Sequence, residues 1–158
     1  MLDHVSYMRL ALEEAKKAEE RDEVPIGAVL VDLETKEILA SAGNTTRELN
    51  DPSAHAEILA IRQACTLKKA QRIPNTILYV TLEPCAMCAA AISFARISKI
   101  VIGAFDPKGG GVIHGGKFYE QPTCHWKPEI ETSILEHECG KILTNFFKKK
   151  RLKIKSRL

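Results

Sequence analysis

Residues 76–94 read TILYVTLEPCAMCAAAISF, and this stretch decides the fold class. Residues 76–82 form an apolar run with β-branched and aromatic side chains, which is typical of a buried strand. After Glu83-Pro84, the small and apolar residues from Ala86 to Ala95 are typical of a short, closely packed helix. Such strand–helix units build α/β proteins. The stretch therefore predicts an α/β fold.

The flanking segments extend this pattern on both sides. Hydrophobic periodicity predicts helices at 5–20 and 54–66, a hairpin from 24–31 and 38–43, and a further strand at 99–103. After Pro128, apolar side chains recur on one helical face, namely Ile134, Leu135, Cys139, Ile142, Leu143 and Phe146. A long glycine-rich loop is expected between these last two elements. The chain of 158 residues thus predicts one layered α/β domain with about four or five strands.

Charge is distributed unevenly along the chain. The 23 Lys and Arg residues against 20 Asp and Glu give a net charge of +3. Residues 148–158 hold seven basic residues and no acid, so residues 1–147 carry a net charge of −4. No apolar stretch reaches the roughly 18 to 20 residues of a membrane span, and the first residues lack the pattern of a signal peptide. With an odd number of cysteines, the sequence predicts a cytoplasmic protein with no membrane segment.

Two short motifs begin successive predicted helices and carry the candidate chemistry. They are His55-Ala56-Glu57 and Pro84-Cys85-Ala86-Met87-Cys88. Cys85 and Cys88 are three residues apart, which places both sulfurs on one helical face. In a first helical turn, His55 and Glu57 can converge on a point beyond the helix end. Three protein ligands and an open fourth position are typical of catalytic zinc, so we expect one Zn²⁺ per subunit, bound by His55, Cys85 and Cys88.

Glu57 has a role that a metal ligand would not fill. Two thiolates and a neutral imidazole cancel the charge of Zn²⁺, so a nearby base must help to deprotonate the attacking water. A free carboxylate can take that proton and pass it on to the substrate, which makes Glu57 the expected proton shuttle. The pattern His-x-Glu followed by Pro-Cys-x-x-Cys is the known signature of zinc-dependent nucleobase deaminases. Hydrolytic deamination is therefore the predicted reaction.

Each motif alone has other interpretations. A Cys-x-x-Cys pair also occurs in structural zinc knuckles and redox pairs, and an isolated His-x-Glu is common on solvated helices. Their joint occurrence at two successive helix starts favours catalytic zinc. A noncatalytic, zinc-stabilised RNA-binding protein remains an alternative, but it would have no need of Glu57.

Several sequence blocks carry a resemblance to a known family. These are 24–29 (VPIGAV), 55–58 (HAEI), 78–88 (LYVTLEPCAMC), 103–106 (GAFD) and 146–147 (FF), which basic residues follow. In order and spacing they resemble the bacterial tRNA-specific adenosine deaminases of the cytidine-deaminase-like superfamily. The resemblance implies a three-layer α/β/α fold with a mixed five-stranded sheet, a homodimer, and conversion of adenosine to inosine at the wobble position of an arginine tRNA.

The resemblance also implies substrate contacts. Asn44 and Ala56 would contact the flipped base, Val24 would line the pocket, and Asp106 would lie near the sugar. Without the resemblance, Asn44 and Asp106 are more typical of turns and Val24 of a strand core. The sequence departs from the family in residues 109–114 (GGGVIH), where a Gly-Ala-x-Gly-Ser-like stretch is usual.

The basic C-terminal segment is the expected contact with tRNA. Lys148, Lys149, Lys150 and Arg151 would bind the RNA phosphate backbone from an extension of the last helix. The alternative is a solvated segment that only aids solubility. A rival enzyme class, free-base or nucleoside deaminases acting on cytosine, cytidine or guanine, would use the same zinc centre, but the basic segment favours RNA.

Overall fold

A mixed five-stranded sheet forms the middle layer of the protein. The computed structural model describes residues 3–157. Within them the elements are α1 (His4–Glu20), β1 (Gly27–Asp32), β2 (Ile38–Gly43), α2 (Ala56–Lys68), β3 (Thr76–Leu82), α3 (Ala86–Phe94), β4 (Lys99–Ala104), a 3-10 turn (Phe118–Glu120), β5 (Glu129–Glu131) and α4 (Glu136–Ser156). The strand order is β2-β1-β3-β4-β5. β1 pairs antiparallel with β2 and β3, whereas β3, β4 and β5 run parallel. The predicted mixed sheet is confirmed.

Helices cover both faces of this sheet, because successive strand side chains point to opposite sides. On one face, Leu78 and Val80 belong to a buried cluster with residues of α2 and α3. On the other face, Ile77 and Tyr79 join a cluster with residues of α1 and α4. The predicted three-layer α/β/α architecture is therefore confirmed.

The first helix follows its sequence pattern closely. Asp3 caps it by accepting a hydrogen bond from the Ser6 N–H at 3.2 Å. Its buried residues are those of the predicted apolar face, namely Met8, Ala11, Leu12, Ala15 and Ala18. Gly27 packs directly on this helix, since a Cβ there would lie 1.9 Å from the Ala11 carbonyl oxygen. A glycine at that position lets helix and sheet approach closely.

Three predicted elements begin at a different residue in the structure. Residues 24–26 precede β1 instead of belonging to it, because Pro25 has no N–H to give the ladder and the Ile26 N–H bonds to the Val24 carbonyl at 2.8 Å. The last helix begins after Leu135, whose left-handed backbone (φ 55°) precedes the first turn. Helix α2 begins at Ala56, since His55 is extended. Each shift concerns one to three residues at an element's edge.

The basic segment continues the last helix, as expected. Helix α4 runs for 21 residues to Ser156, so most of residues 148–158 are helical. Within residues 3–157, no helix combines the length and the apolar character that a bilayer crossing requires.

Candidate active site

The structure brings His55, Cys85 and Cys88 together between two helix starts. His55 is the N-cap residue of α2 and Cys85 is the N-cap residue of α3. Neither side chain makes a capping hydrogen bond, so both are free to face each other. Cys88 follows one turn into α3 and is completely buried. The positive ends of two helix dipoles therefore meet at this cluster, where they favour negatively charged sulfur.

The donor atoms are spaced as a metal ion requires. The His55 Nδ1 lies 3.7 Å from the Cys85 Sγ and 3.5 Å from the Cys88 Sγ. All three donors lie within 4.8 Å of one another. Nitrogen and sulfur donors on tetrahedral zinc, at about 2.0 and 2.3 Å from the ion, lie about 3.5 Å apart. The geometry and the chemistry of the donors thus fit zinc with one coordination position left open.

Contacts among the three ligand residues make the two thiols unequal in acidity. Hydrogen bonds from Cys88 and His55 lower the pKa of the Cys85 thiol to about 4. The same contact with Cys85, together with burial, raises the pKa of Cys88 above its usual range. Metal binding would deprotonate Cys88 as well, since a bound ion holds both sulfurs as thiolates.

Glu57 lies behind the metal-ligand cluster. Its side chain is 4% exposed, in the first turn of α2. Burial raises its pKa to about 7, against the opposing effect of hydrogen bonds from its own backbone N–H and from Cys88. Such a carboxylate can both accept and release a proton near neutral pH. The proton-transfer role of Glu57 stays a prediction.

An open cleft of about 760 Å³ leads away from His55. Its volume lies in the range of small-molecule and nucleotide sites. The walls come from the segment before β1, the ends of β2, β3 and β4, the loop after β4, and α4. The lining residues are Val24, Ile26, Asn44, His55, Leu82, Ala104, Phe105, Asp106, Lys108, Gly109, Gly140, Leu143, Thr144, Phe147 and Arg151.

The predicted substrate contacts lie at or beside this cleft. Val24, Asn44 and Asp106 line it. The Asn44 side chain is buried, and its Oδ1 accepts a hydrogen bond from the Ala56 N–H at 2.8 Å. Ala56 itself is completely buried beside His55. The contact of these four residues with a base or sugar stays a prediction.

The Asp106 loop is tied to a residue that the sequence interpretation missed. The Asp106 carboxylate accepts a hydrogen bond from the Gly109 N–H at 2.9 Å. The backbone N–H of Asp106 donates a hydrogen bond to the Glu83 carboxylate at 3.1 Å. The His114 ring also bonds to Glu83, at 2.8 Å. The position of Glu83, between a buried strand and the Pro-Cys motif, could have indicated that this acid is buried near the site. Nothing in the sequence indicates that His114 is its hydrogen-bond partner.

The four basic residues predicted to bind RNA divide into two groups. Lys149 pairs with Glu19 at the end of α1 at 3.8 Å, and Lys150 pairs with Asp22, just after α1, at 2.5 Å. Arg151 lines the cleft, and Lys148 is exposed. The exposed Phe147 also lines the cleft, one helical turn before Arg151. The sequence interpretation missed this role of Phe147.

The other cysteines and two loop aromatics pack elsewhere. Cys65, Cys124 and Cys139 lie outside the metal-ligand cluster. The Tyr119 hydroxyl donates to the Ala89 carbonyl at 2.9 Å, and the Trp126 indole N–H donates to the Ile97 carbonyl at 2.8 Å. Both rings therefore support the fold around α3 and β4.

Comparison with known proteins agrees with this site. The family described as "Cytidine and deoxycytidylate deaminase zinc-binding region" matches residues 1–104. A protein of Agrobacterium fabrum named tRNA-specific adenosine deaminase is 56% identical over 152 residues, covering 96% of this chain and 99% of that protein. The protein of the same name from Bacillus subtilis is 45% identical over 150 residues, covering 95% and 92% of the two chains.

Solved structures extend the likeness to the fold. One from the work "Biochemical and Structural Studies of A-to-I Editing by tRNA:A34 Deaminases at the Wobble Position of Transfer RNA" has a TM-score of 0.85 at 56% identity, covering 87% of this chain and 99% of the other. A guanine deaminase from Nitrosomonas europaea shares the fold, with a TM-score of 0.80 at 18% identity over 92% and 85% of the chains. This chain therefore belongs to the tRNA-specific adenosine deaminases, within the cytidine and deoxycytidylate deaminase family.

Proposed function

We propose that this protein is a zinc-dependent hydrolase that converts adenosine to inosine at the first anticodon position of a tRNA, in particular an arginine tRNA. The observation that carries the proposal is the convergence of His55, Cys85 and Cys88 at the edge of a cleft that His55 lines and that extends to Arg151, with the buried Glu57 two residues after His55. The names of the relatives support adenosine in tRNA as the substrate. Water replaces the 6-amino group of the purine, and ammonia leaves.

One zinc ion per subunit would be held by His55, Cys85 and Cys88. When bound, zinc supplies a Lewis acid that makes water nucleophilic near neutral pH. The two N-cap positions keep the imidazole and one sulfur at fixed helix ends, so their arrangement does not depend on a mobile loop. Catalytic sites gain rate from such preorganised donors.

Glu57 would move the protons of the reaction. Its carboxylate accepts a proton from the attacking water and passes it to N1 of the purine ring. It then takes the second proton of the water and delivers it to the leaving amine. Burial keeps Glu57 away from bulk water, which limits the loss of these protons to solvent.

The cleft would orient the flipped nucleotide. Since the Asn44 Oδ1 already accepts the Ala56 N–H, the group that Asn44 offers to a base is its amide N–H₂, a donor. Val24 would pack on the base and Asp106 would lie near the sugar. An open cleft with Lys108 and Arg151 in its walls favours a polyanionic substrate over a free base.

The RNA backbone would lie along α4. Arg151 and the exposed Lys148 would contact phosphates, while Lys149 and Lys150 would combine a phosphate contact with their ion pairs at the end of α1. We also propose a homodimer, which sedimentation at micromolar concentration tests, and a cytoplasmic location, where tRNA is modified.

The test is to incubate the purified protein with an arginine tRNA transcript that carries adenosine at the first anticodon position. A matched transcript with guanosine there, and free adenosine, cytidine, cytosine and guanine, serve as controls. Nucleoside mass spectrometry should find inosine in the first transcript only. Deamination of a free base or nucleoside without inosine in the tRNA would overturn the proposal in favour of the rival enzyme class.

A further inference from the structure

Glu83 is a buried carboxylate between strand β3 and the cluster residue Cys85. Its side chain is completely inaccessible to solvent. A buried charge of this kind is stable only when it is fully paired.

Five hydrogen bonds pair this carboxylate, and all come from one loop. Oε2 accepts the backbone N–H groups of Val112, Ile113 and His114 at 3.3, 3.0 and 2.9 Å. Oε1 accepts the Asp106 N–H at 3.1 Å and the His114 Nδ1–H at 2.8 Å. The loop from Asp106 to His114 is thus folded around Glu83.

This loop supplies one wall of the cleft. Phe105, Asp106, Lys108 and Gly109 all line it. The conformation of this loop therefore decides how the cleft wall is presented to a substrate.

His114 provides the one side-chain bond among the five. Since Glu83 is an acceptor, the Nδ1 of His114 must carry the hydrogen. The imidazole also packs edge-to-face with the Phe105 ring, with the ring centroids 5.9 Å apart and the planes at 76°. His114 therefore connects the buried carboxylate with an aromatic residue of the cleft wall.

We propose that His114 is a positioning residue for substrate binding, which holds the wall of residues 105–109 through its bond to Glu83. For its substrate, this inference rests on the proposed function. Removal of the imidazole leaves Glu83 with four backbone donors, so the fold and the metal-ligand cluster should persist. The effect should fall on the wall and hence on RNA binding.

The kinetic test compares the parent with His114→Ala on an anticodon stem-loop RNA. We expect KM to rise about tenfold, as for loss of a hydrogen bond to a charged group, with kcat within about twofold and zinc content unchanged. His114→Asn should restore KM, because the Asn Nδ2 takes the position of the imidazole Nδ1. His114→Phe keeps a ring beside Phe105 without the donor and should behave like His114→Ala. His125→Ala, exposed elsewhere in the same long loop, should match the parent.

A second measurement needs no activity. Amide hydrogen exchange in residues 105–114 should be faster in His114→Ala than in the parent or in His114→Asn, with α3 unchanged. Unaltered exchange in the loop would overturn the inference even if the parent does not deaminate the RNA, whereas that lack of activity would overturn only the proposed function. In an active protein, an unchanged KM, a fall in kcat alone, or no restoration by Asn would also refute the role of His114.

Discussion

Gly111 lies where the glycine-rich loop meets the start of helix α3. A Cβ at this position would lie 2.6 Å from the Ala86 nitrogen, 2.7 Å from the Ala86 Cα and 2.9 Å from the Cys85 carbonyl carbon. All three are backbone atoms, which cannot rotate away as a side chain does. In Gly111→Ala, the loop and the start of α3 must therefore separate by about 0.8 Å to reach the 3.4 Å of an ordinary contact.

The displacement would act on the candidate metal centre. The loop is held by the Gly111 N–H, which bonds to the Pro84 carbonyl at 2.8 Å, so part of the movement must pass to the segment that carries Cys85. A misplacement of about 1 Å near reacting groups costs up to about 10²-fold in rate. Overpacking costs about 1 to 3 kcal/mol of folding free energy, or roughly 3 to 10 °C in Tm.

The assay measures zinc per chain, the inosine-forming rate and Tm in Gly111→Ala, with Gly116→Ala as the matched control. A Cβ at Gly116 meets nothing within 4 Å, so this variant should keep all three properties. For Gly111→Ala we expect a rate about 10- to 100-fold lower and a reduced zinc content. Parental rate, zinc content and Tm in Gly111→Ala would refute the steric reasoning.

Three further predictions concern single side chains. Glu57→Gln should lower deamination by about 10²- to 10⁴-fold with zinc content unchanged, and a parental rate would remove Glu57 from proton transfer. Arg151→Ala should weaken tRNA binding and reduce the slope of log affinity against log salt by about 1. Lys149→Ala should have a smaller effect, because Lys149 is paired with Glu19 whereas Arg151 lines the cleft. Equal effects of the two substitutions would contradict this difference between the residues. Hydrogen bonds from the Thr35 N–H, Lys68 and the Glu34 N–H lower the pKa of Asp32 in the folded protein. The stabilising effect of Asp32 is therefore complete above its unfolded-state pKa near 3.8, and it is lost as the pH falls through the lower folded-state pKa. Urea unfolding should thus show Asp32→Asn less stable than the parent at pH 6, by a margin that shrinks toward pH 3; a constant margin would disprove it.

Periodicity predicted the long helices, the central strands and the first hairpin well, because each of these elements has its own pattern, whereas the three layers and the mixed sheet were implied by the resemblance. Periodicity failed where the signal is not local. Strand β5 (Glu129–Glu131) is three residues long with two exposed or half-buried acids, and only its pairing with β4 makes it a strand. The segment at Val24 has the apolar run of a strand that continues into β1, but Pro25 interrupts the ladder.

The candidate site divides in the same way. His55, Glu57, Cys85 and Cys88 were predicted to meet because short spacings at two helix starts constrain them. The Glu83–His114 bond joins residues 31 positions apart, through a loop without periodicity. Likewise, the ion pairs that separate Lys149 and Lys150 from Arg151 depend on where α4 crosses α1. Contacts of this kind arise from tertiary packing and leave no pattern in the local sequence.

The continuity of helix α4 gives its basic residues a fixed geometry. With a rise of 1.5 Å and a turn of 100° per residue, Lys155 lies about 12 Å beyond Phe147 along one rigid axis. The helix therefore fixes both the distance and the angle of each charged side chain relative to the cleft. A rearranged segment with the same net charge would retain the proposed general attraction for RNA but would lose this register. The order of the basic residues in α4 thus matters alongside their number.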